Sequence, residues 1–374
     1  MLSIKCFRNV KERIKIMDFI KIFIGLNGFK FENSIKKNFK IENVYTEVGF
    51  NICQDNNYIN ELFDVHFLDN EDLDIETASS FTVTFGLEPL FGLKTYPYLY
   101  YCFEGTKPTD ENLTKIYRKL ASEVHLLLVA MWFVKDNSVS FKTILPYYED
   151  FKSNPYFPRA YYNYTIPVLS NAKQCDTEFS LSDLKEVEKW YNLINNFMRN
   201  VKIKEYENDQ PIYVSYPNIP SYQRVINFIL SIRSDWTITS KIAGYVSILE
   251  CILSVKGENT HKVSERVAWF IGENSSDRLK IYNTIKSAYN DRSNFIHGSA
   301  MKYDETSRAK REAMVTDLDE LVRKVLKKCF QDYPYLNYGV NKRDKLALSD
   351  DVDQWFNKLV ITGQIPEEIK IQSN

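Results

Sequence analysis

The chain has 374 residues, 44% of them hydrophobic and 26% charged, and this composition excludes a disordered or fibrous protein. Its 48 Lys and Arg residues nearly balance 49 Asp and Glu residues, so the net charge of -1 excludes a global positive field that would attract a polyanion. The length predicts two domains, each large enough for an ordinary core.

The N-terminal segment Met1–Leu26 has apolar residues at helical spacing, but charged side chains interrupt it. These charged residues are Lys5, Arg8, Lys11, Arg13, Lys15, Asp18 and Lys21. A signal peptide needs an uninterrupted apolar stretch, so we do not expect one here. The apolar run Val124–Val134 is too short to cross a bilayer, and we expect no membrane span.

The six cysteines lie far apart in the sequence and form no C-x-x-C pair. No histidine stands near enough to complete a zinc-ligand spacing. This pattern predicts free thiols, no metal site and a cytoplasmic protein.

Short alternating apolar runs between Asn38 and Glu104, such as Phe81–Phe85 and Tyr98–Phe103, predict strands. The stretch Asn112–Phe133 has an apolar stripe at helical spacing and predicts a helix of about six turns. Strand character returns at Val139–Tyr147. Residues 1–175 are therefore expected to form a mixed α/β domain.

The rest of the chain has helical character. Two segments rich in Pro, Tyr and Asn, Asn154–Cys175 and Gln210–Pro220, are expected to be connections. One predicted helix follows the N-cap candidates in Ser180–Leu184 and runs to about Lys202, with Leu184, Val187, Trp190 and Ile194 on one face. The later predicted helices span about Ser221–Ile232, Thr237–Val255, Lys262–Phe270, Ser276–His297 and Ser307–Phe330. Short connections favour antiparallel neighbours, so residues 176–335 are expected to form a helical bundle.

Residues 336–374 are expected to form a tail with a short helix at Asp350–Leu359. The predicted fold class is therefore α+β, in which a mixed α/β region is followed by an all-α bundle.

The predicted helix Ser276–His297 carries an arginine in its apolar stripe. Tyr282, Ile285, Tyr289, Arg292 and Ile296 fall within about 80° when each residue advances by roughly 100°. A guanidinium in such a stripe needs a carboxylate, a phosphate or open water as a partner.

The same predicted helix ends on a histidine. His297 directly precedes Gly298, a typical helix-terminating residue, and its ring is expected beside the negative end of the helix dipole. An imidazole that moves protons and a cation that holds negative charge are the groups that phosphodiester cleavage requires.

The spacing of arginine and histidine is not specific by itself. An arginine followed after four to six residues by a histidine is expected by chance in many proteins of this size. Arg118 and His125, with six residues between them, also fit this pattern on the helix of the first region, where a surface arginine and a half-buried histidine are the simpler interpretation. What distinguishes the second pair is its surroundings.

Three segments between about Thr237 and Phe330 resemble the HEPN superfamily, in particular its ApeA-like branch. They are the helix Ile248–Leu253, the segment Ser264–Ile271 and the closing pattern Tyr-x-x-Arg-Ser-x-x-x-His-Gly at Tyr289–Gly298. The resemblance implies that residues 176–335 are a HEPN-type helical bundle. It also implies that Arg292 and His297 are catalytic, in a cleft completed by a second subunit of a homodimer.

The activity implied by the resemblance is endoribonuclease cleavage without metal or cofactor. The RNA 2′-hydroxyl attacks its own phosphate, with His297 moving protons and Arg292 stabilising charge, and the product is a 2′,3′-cyclic phosphate. Ser293, Asn294 and Glu250 are supporting candidates. Glu250 borders the apolar face of its helix, so it can reach Arg292 either to orient it or as a structural ion pair.

The implied setting is bacterial anti-phage defence, as an abortive-infection or toxin-like protein. The N-terminal region would then be a sensing or regulatory domain that responds to a phage-derived or regulatory protein partner.

Two alternatives stay open. In one, the bundle is an inactive module that binds RNA, a nucleotide or a protein. In the other, Arg292 and His297 only hold a structural dimer together.

Overall fold

The computed structural model describes residues 19–32, 38–41, 50–53, 85–86, 89, 93, 95–104, 109–149, 158–163, 165–199, 219–253, 259–298, 304–339 and 346–370. These residues form a mixed α+β fold with a small sheet in the N-terminal half, which confirms the predicted class. They divide into two compact units. The first lies within Met1–Ala130, Ser138–Ile166 and Cys175–Asn192, and the second within Met131–Asn137, Pro167–Gln174 and Leu193–Asn374.

The first unit contains an antiparallel sheet. Its strands are β1 (Phe19–Gly25), β3 (Asn38–Ile41), β4 (Phe50–Cys53), β5 (Tyr98–Glu104), β6 (Thr143–Glu149) and β7 (Tyr161–Tyr162). They lie in the order β3-β4-β5-β1-β6-β7, with Ile22 of β1 opposite both Tyr101 and Pro146. Strands β2 (Phe29–Phe31) and β8 (Thr177–Phe179) form a separate parallel pair.

Strand β1 occupies a segment whose apolar residues had helical spacing. Ile20, Ile22 and Ile24 alternate along the strand and are buried, and Phe23, on the opposite face, is buried too. Because Phe23 is buried between Ile22 and Ile24, apolar and polar residues do not alternate here, which conceals the period of two residues. The strand predicted at Phe81–Phe85 falls outside the described residues except for Phe85.

Helix α1 (Asp110–Val134) extends the predicted helix by two residues at its start and by one at its end. Helix α2 (Leu181–Arg199) ends three residues before the predicted end at about Lys202. Helix α2 begins at a capping box, because the Asp183 N–H donates to Ser180 Oγ at 3.1 Å and the Ser180 N–H donates to Asp183 Oδ2 at 2.8 Å. Its predicted apolar face is confirmed as buried: Leu184, Val187, Trp190 and Ile194.

The second unit contains most of the helices predicted for the bundle, together with the helix predicted in the tail. They are α3 (Ser221–Arg233), α4 (Ile238–Leu253), α5 (Asn259–Ile271), α6 (Ser275–Ile296), α7 (Glu305–Gln331) and α8 (Ser349–Thr362), with a 3-10 turn at Pro334–Leu336. Helix α4 contacts α3, α5, α6, α7 and α8. It is therefore the central helix, and its buried residues are spread around its circumference.

Helix α8 packs on α5 and corresponds to the short helix predicted in the tail. Arg266 of α5 is buried and donates to Leu253 O at 2.7 Å, Asp353 Oδ1 at 2.8 Å and Asn357 Oδ1 at 2.7 Å. This arginine links α5 to α4 and α8. None of the helices in the described ranges is both long enough and apolar enough to cross a membrane.

Candidate functional site

The candidate site lies in the second unit, at the C-terminal end of α6. Asn274 caps the start of this helix, where its side chain accepts from the Asp277 N–H at 3.0 Å. At the other end the His297 N–H still bonds Ser293 O at 3.0 Å, and Gly298 follows with a φ of +65°. Glycine adopts this left-handed conformation without the steric cost of a Cβ, so the helix ends immediately after His297.

A cavity of about 410 Å³ opens beside this helix end. Its lining residues come from the end of α6 and the first turn of α5: Asn259, Thr260, Tyr289, Arg292, Ser293, Ile296 and His297. The structure thus brings Arg292, Ser293 and His297 into one cavity. Asn294 is exposed on the same helix and is not among the lining residues described.

The apolar stripe of α6 runs from the core into the cavity. Ile285 is fully buried and Tyr289 is 5% exposed, whereas the Arg292 side chain is 33% exposed and Ile296 is 60% exposed. Arg292 therefore does have an open, polar surrounding, as a charged group in such a stripe requires. The same surrounding leaves it accessible to an anion.

Glu250 of α4 faces Arg292 from across the bundle. Arg292 Nη1 lies 3.4 Å from Glu250 Oε1, and Arg292 Nη2 lies 3.4 Å from Glu250 Oε2. The Glu250 side chain is 19% exposed and also accepts from the Tyr289 hydroxyl at 3.0 Å and from Asn259 Nδ2 at 3.2 Å. Glu250 is thus the common acceptor that connects α4, α5 and α6 beneath the cavity.

Tyr289 remains a hydrogen-bond donor in this arrangement. Burial raises the pKa of its phenol well above the usual range, and the neighbouring Glu250 carboxylate adds to the effect. The Arg292 guanidinium lies 5.9 Å from the centroid of the Tyr289 ring, within the range of a cation–π contact.

Four cavity residues were not predicted as site residues: Asn259, Thr260, Tyr289 and Ile296. The first two precede the predicted start of their helix at Lys262, because a polar Asn-Thr-His turn looks like a loop in the sequence. Tyr289 belongs to the apolar stripe and to the closing pattern. Because a buried tyrosine hydroxyl usually finds a hydrogen-bond partner, this position could have been predicted to bond a polar side chain.

The competing pair on α1 has different surroundings. Arg118 is exposed, and His125 is buried rather than half-buried, with its ring 5.2 Å from that of Phe141. An exposed arginine and a histidine packed in the core are what a purely structural interpretation requires.

Basic residues are frequent on α7, but carboxylates or carbonyl groups bind several of them. Arg308 pairs with Glu312 at 2.9 Å, Lys324 pairs with Glu320 at 2.7 Å, and Lys328 Nζ donates to Phe270 O at 2.6 Å. Arg323 bonds Asp319, which is buried. Contact with an RNA backbone would compete with these partners.

No cluster of three or more His, Cys, Asp or Glu side chains within the described ranges could hold a metal ion. Cys175, Cys251 and Cys329 are free thiols, as the cysteine spacing predicted for them.

No family model, curated protein or solved structure matches this chain.

Proposed function

We propose that this chain is a metal-independent endoribonuclease of the HEPN type, with Arg292 and His297 as its catalytic residues. The observation that carries the proposal is that both side chains line the same 410 Å³ cavity at the end of one helix. In this cavity, the guanidinium of Arg292 can stabilise negative charge and the imidazole of His297 can transfer protons, and phosphodiester cleavage needs both.

In the proposed reaction, a neutral His297 takes the proton of the RNA 2′-hydroxyl as its oxygen attacks the adjacent phosphorus. The new 2′-O–P bond forms while the P–O5′ bond breaks, and the 5′-oxygen leaves with a proton from water or an imidazolium. Arg292 stabilises the charge on the phosphoryl oxygens, and Ser293 provides a hydroxyl in the cavity wall. The products are a 2′,3′-cyclic phosphate and a 5′-hydroxyl.

The proposal includes a homodimer whose two α6 ends face each other. Phe295 and Ile296 are 39% and 60% exposed beside His297, and a partner subunit would remove this apolar surface from water. Two copies would also place two Arg-His pairs around one cleft.

The proposed setting is cytoplasmic anti-phage defence, in which the first unit senses a phage-derived or regulatory protein and restrains the nuclease. This part rests on the resemblance to the superfamily alone.

The second candidate function is an inactive module that binds RNA, a nucleotide or a protein. One observation favours it: Arg292 already has a carboxylate partner in Glu250. A paired guanidinium is less available for catalysis than an open one, so the experiment must separate binding from cleavage.

The test is incubation of the purified full chain with mixed RNA in EDTA, with wild type compared with Arg292→Ala and His297→Ala. We expect wild type to cleave, and each variant to lose at least about a hundredfold in rate while keeping its helical circular dichroism spectrum. The matched control is His261→Ala, since His261 is an exposed histidine on α5 that pairs with Glu265 and Tyr282. It should cleave like wild type.

A second arm uses an oligonucleotide with a single 2′-deoxyribose at a mapped cleavage position. Cleavage there should stop, because the attacking hydroxyl is missing, while neighbouring sites are still cut. Equal cleavage by wild type and His297→Ala, or loss of wild-type cleavage in EDTA, would contradict the proposed reaction. Binding without cleavage would support the inactive module.

A further inference from the structure

The Glu250 carboxylate is shared unequally among its donors. Its Oε1 atom accepts from the Tyr289 hydroxyl at 3.0 Å, from Asn259 Nδ2 at 3.2 Å and from Arg292 Nη1 at 3.4 Å. A hydrogen bond between a guanidinium and a carboxylate is normally about 2.7–2.9 Å long. The two neutral donors therefore hold Glu250 more closely than the cation does.

This geometry keeps the Arg292 guanidinium exchangeable. Both of its contacts with Glu250 are 3.4 Å long, its side chain is one-third exposed, and it lines the cavity. A phosphate that enters the cavity can offer the guanidinium shorter, bidentate bonds than Glu250 does. Glu250 then competes with the phosphate for Arg292.

When Arg292 turns to a phosphate, the largely buried Glu250 needs other partners. A buried carboxylate without a donor is costly, and this cost would hold Arg292 in its ion pair. Tyr289 and Asn259 already donate to Glu250, and Tyr289 stays protonated because of the raised pKa of its phenol. These two residues therefore lower the cost of releasing the guanidinium.

We propose that Tyr289 and Asn259 are positioning residues for the proposed ribonuclease: by sharing the Glu250 carboxylate, they let Arg292 exchange Glu250 for the substrate phosphate. The inference rests on the proposed function for the identity of the substrate. The exchange itself concerns only phosphate binding at Arg292, so it can be measured without cleavage.

The experiment measures binding of a fluorescent 2′-O-methyl oligoribonucleotide, which cannot be cleaved, and of inorganic phosphate by NMR titration. Tyr289→Phe and Asn259→Ala should each weaken binding about fivefold, because Glu250 then holds Arg292 more tightly. Glu250→Gln removes the competitor and should strengthen binding by about the same factor. The control is Tyr282→Phe, since the Tyr282 hydroxyl on the same helix bonds His261 at 2.9 Å instead.

The double variant Glu250→Gln/Tyr289→Phe separates an action through Glu250 from a direct contact with phosphate. If Tyr289 acts through Glu250, this double variant binds like Glu250→Gln alone. Additive effects, weaker binding by Glu250→Gln, or no binding of either ligand by wild type would each overturn the exchange. Because Tyr289→Phe removes a single hydroxyl, it provides a measurement even if Glu250→Gln fails to fold.

The outcomes also distinguish the two proposals. If the non-cleavable ligands give the expected pattern while RNA is not cut, the exchange stands and the ribonuclease does not. If RNA is cut but the binding pattern is absent, the ribonuclease stands and the exchange does not.

Discussion

Glu250 and Arg292 lie 42 residues apart in the sequence and face each other through two N···O contacts of 3.4 Å. The pair joins the central helix α4 to the end of α6, where the cavity opens. Arg292 therefore has two possible partners, the Glu250 carboxylate on α4 and an anion that enters the cavity. Its planar guanidinium can bind either of them with two parallel hydrogen bonds.

Arg292→Lys tests whether this planar geometry matters beyond the charge. A lysine keeps the positive charge but binds a phosphate as a single point, so we expect cleavage of RNA to fall by about a hundredfold. The thermal midpoint should hardly move, because Glu250 keeps Tyr289 and Asn259 as donors. Single-turnover rates and thermal melts measure the two effects.

The control for this substitution is Arg308→Lys, since Arg308 is 72% exposed on α7 and bonds Glu312 within its own helix. Its cleavage rate should equal that of wild type. A wild-type rate in Arg292→Lys would mean that Arg292 contributes only charge, and the bidentate contact with phosphate would be ruled out.

Most helix bounds could be predicted because the signals that begin and end helices are local. The N-cap candidates around Ser180 and the glycine at 298 are visible in the sequence, and the structure has Ser180 at a helix start and Gly298 at a helix end. Glu250 was also predictable as a partner of Arg292, since it borders an apolar face that must meet another helix. The structure shows this contact, with Arg292 Nη2 lying 3.4 Å from Glu250 Oε2.

The sequence could not predict contacts between side chains that only tertiary packing brings together. Asn259 reaches Glu250 only because α5 begins three residues before its predicted start. The burial of Phe23 on the face of β1 opposite the isoleucines likewise depends on neighbours distant in the chain, so the period of two residues was hidden. Ser293 lines the cavity and Asn294 is not among the lining residues, because consecutive residues of a helix project in different directions. The orientation of α6 about its own axis decides which of the two faces the cavity.

Lys241 gives a prediction about pH, independent of the site. Its side chain is fully buried on α4 and donates to Ile232 O at 2.8 Å. Burial, helped by the nearby Arg233, lowers the pKa of Lys241 from 10.5 to about 8, against the opposite influence of Asp136 and Asp319. The unfolded chain therefore binds more protons than the folded one between pH 8 and pH 10.5.

Stability from this group thus rises with pH across that window and is lost as pH falls through about 8. Below pH 8, Lys241→Met should raise the free energy of unfolding relative to wild type by at most about 3 kcal/mol. The loss of the hydrogen bond to Ile232 O reduces this gain by about 1 kcal/mol. The advantage should shrink by pH 10. Urea denaturation at several pH values measures it, with the exposed Lys324→Met as control; a pH-independent difference would refute the assignment.

The last prediction concerns the proposed dimer and uses Phe295, which is 39% exposed next to His297 but does not line the cavity. If two α6 ends meet, Phe295→Ser removes apolar area from the interface, and the dimer dissociation constant should rise by about tenfold or more. Analytical ultracentrifugation measures it. Cleavage should fall at low protein concentration and recover at high concentration, because the catalytic side chains are unchanged.

The matched control is Leu279→Ser, since Leu279 is 62% exposed on the same helix. It lies 16 residues from Phe295, about 24 Å along the helix axis, so it should change neither association nor cleavage. Equal weakening by both variants would mean that the loss of either exposed apolar side chain weakens association, which would contradict an interface formed by the two α6 ends. A wild-type protein that stays monomeric at the concentrations where it cleaves RNA would show that one copy of the Arg292–His297 cavity is sufficient.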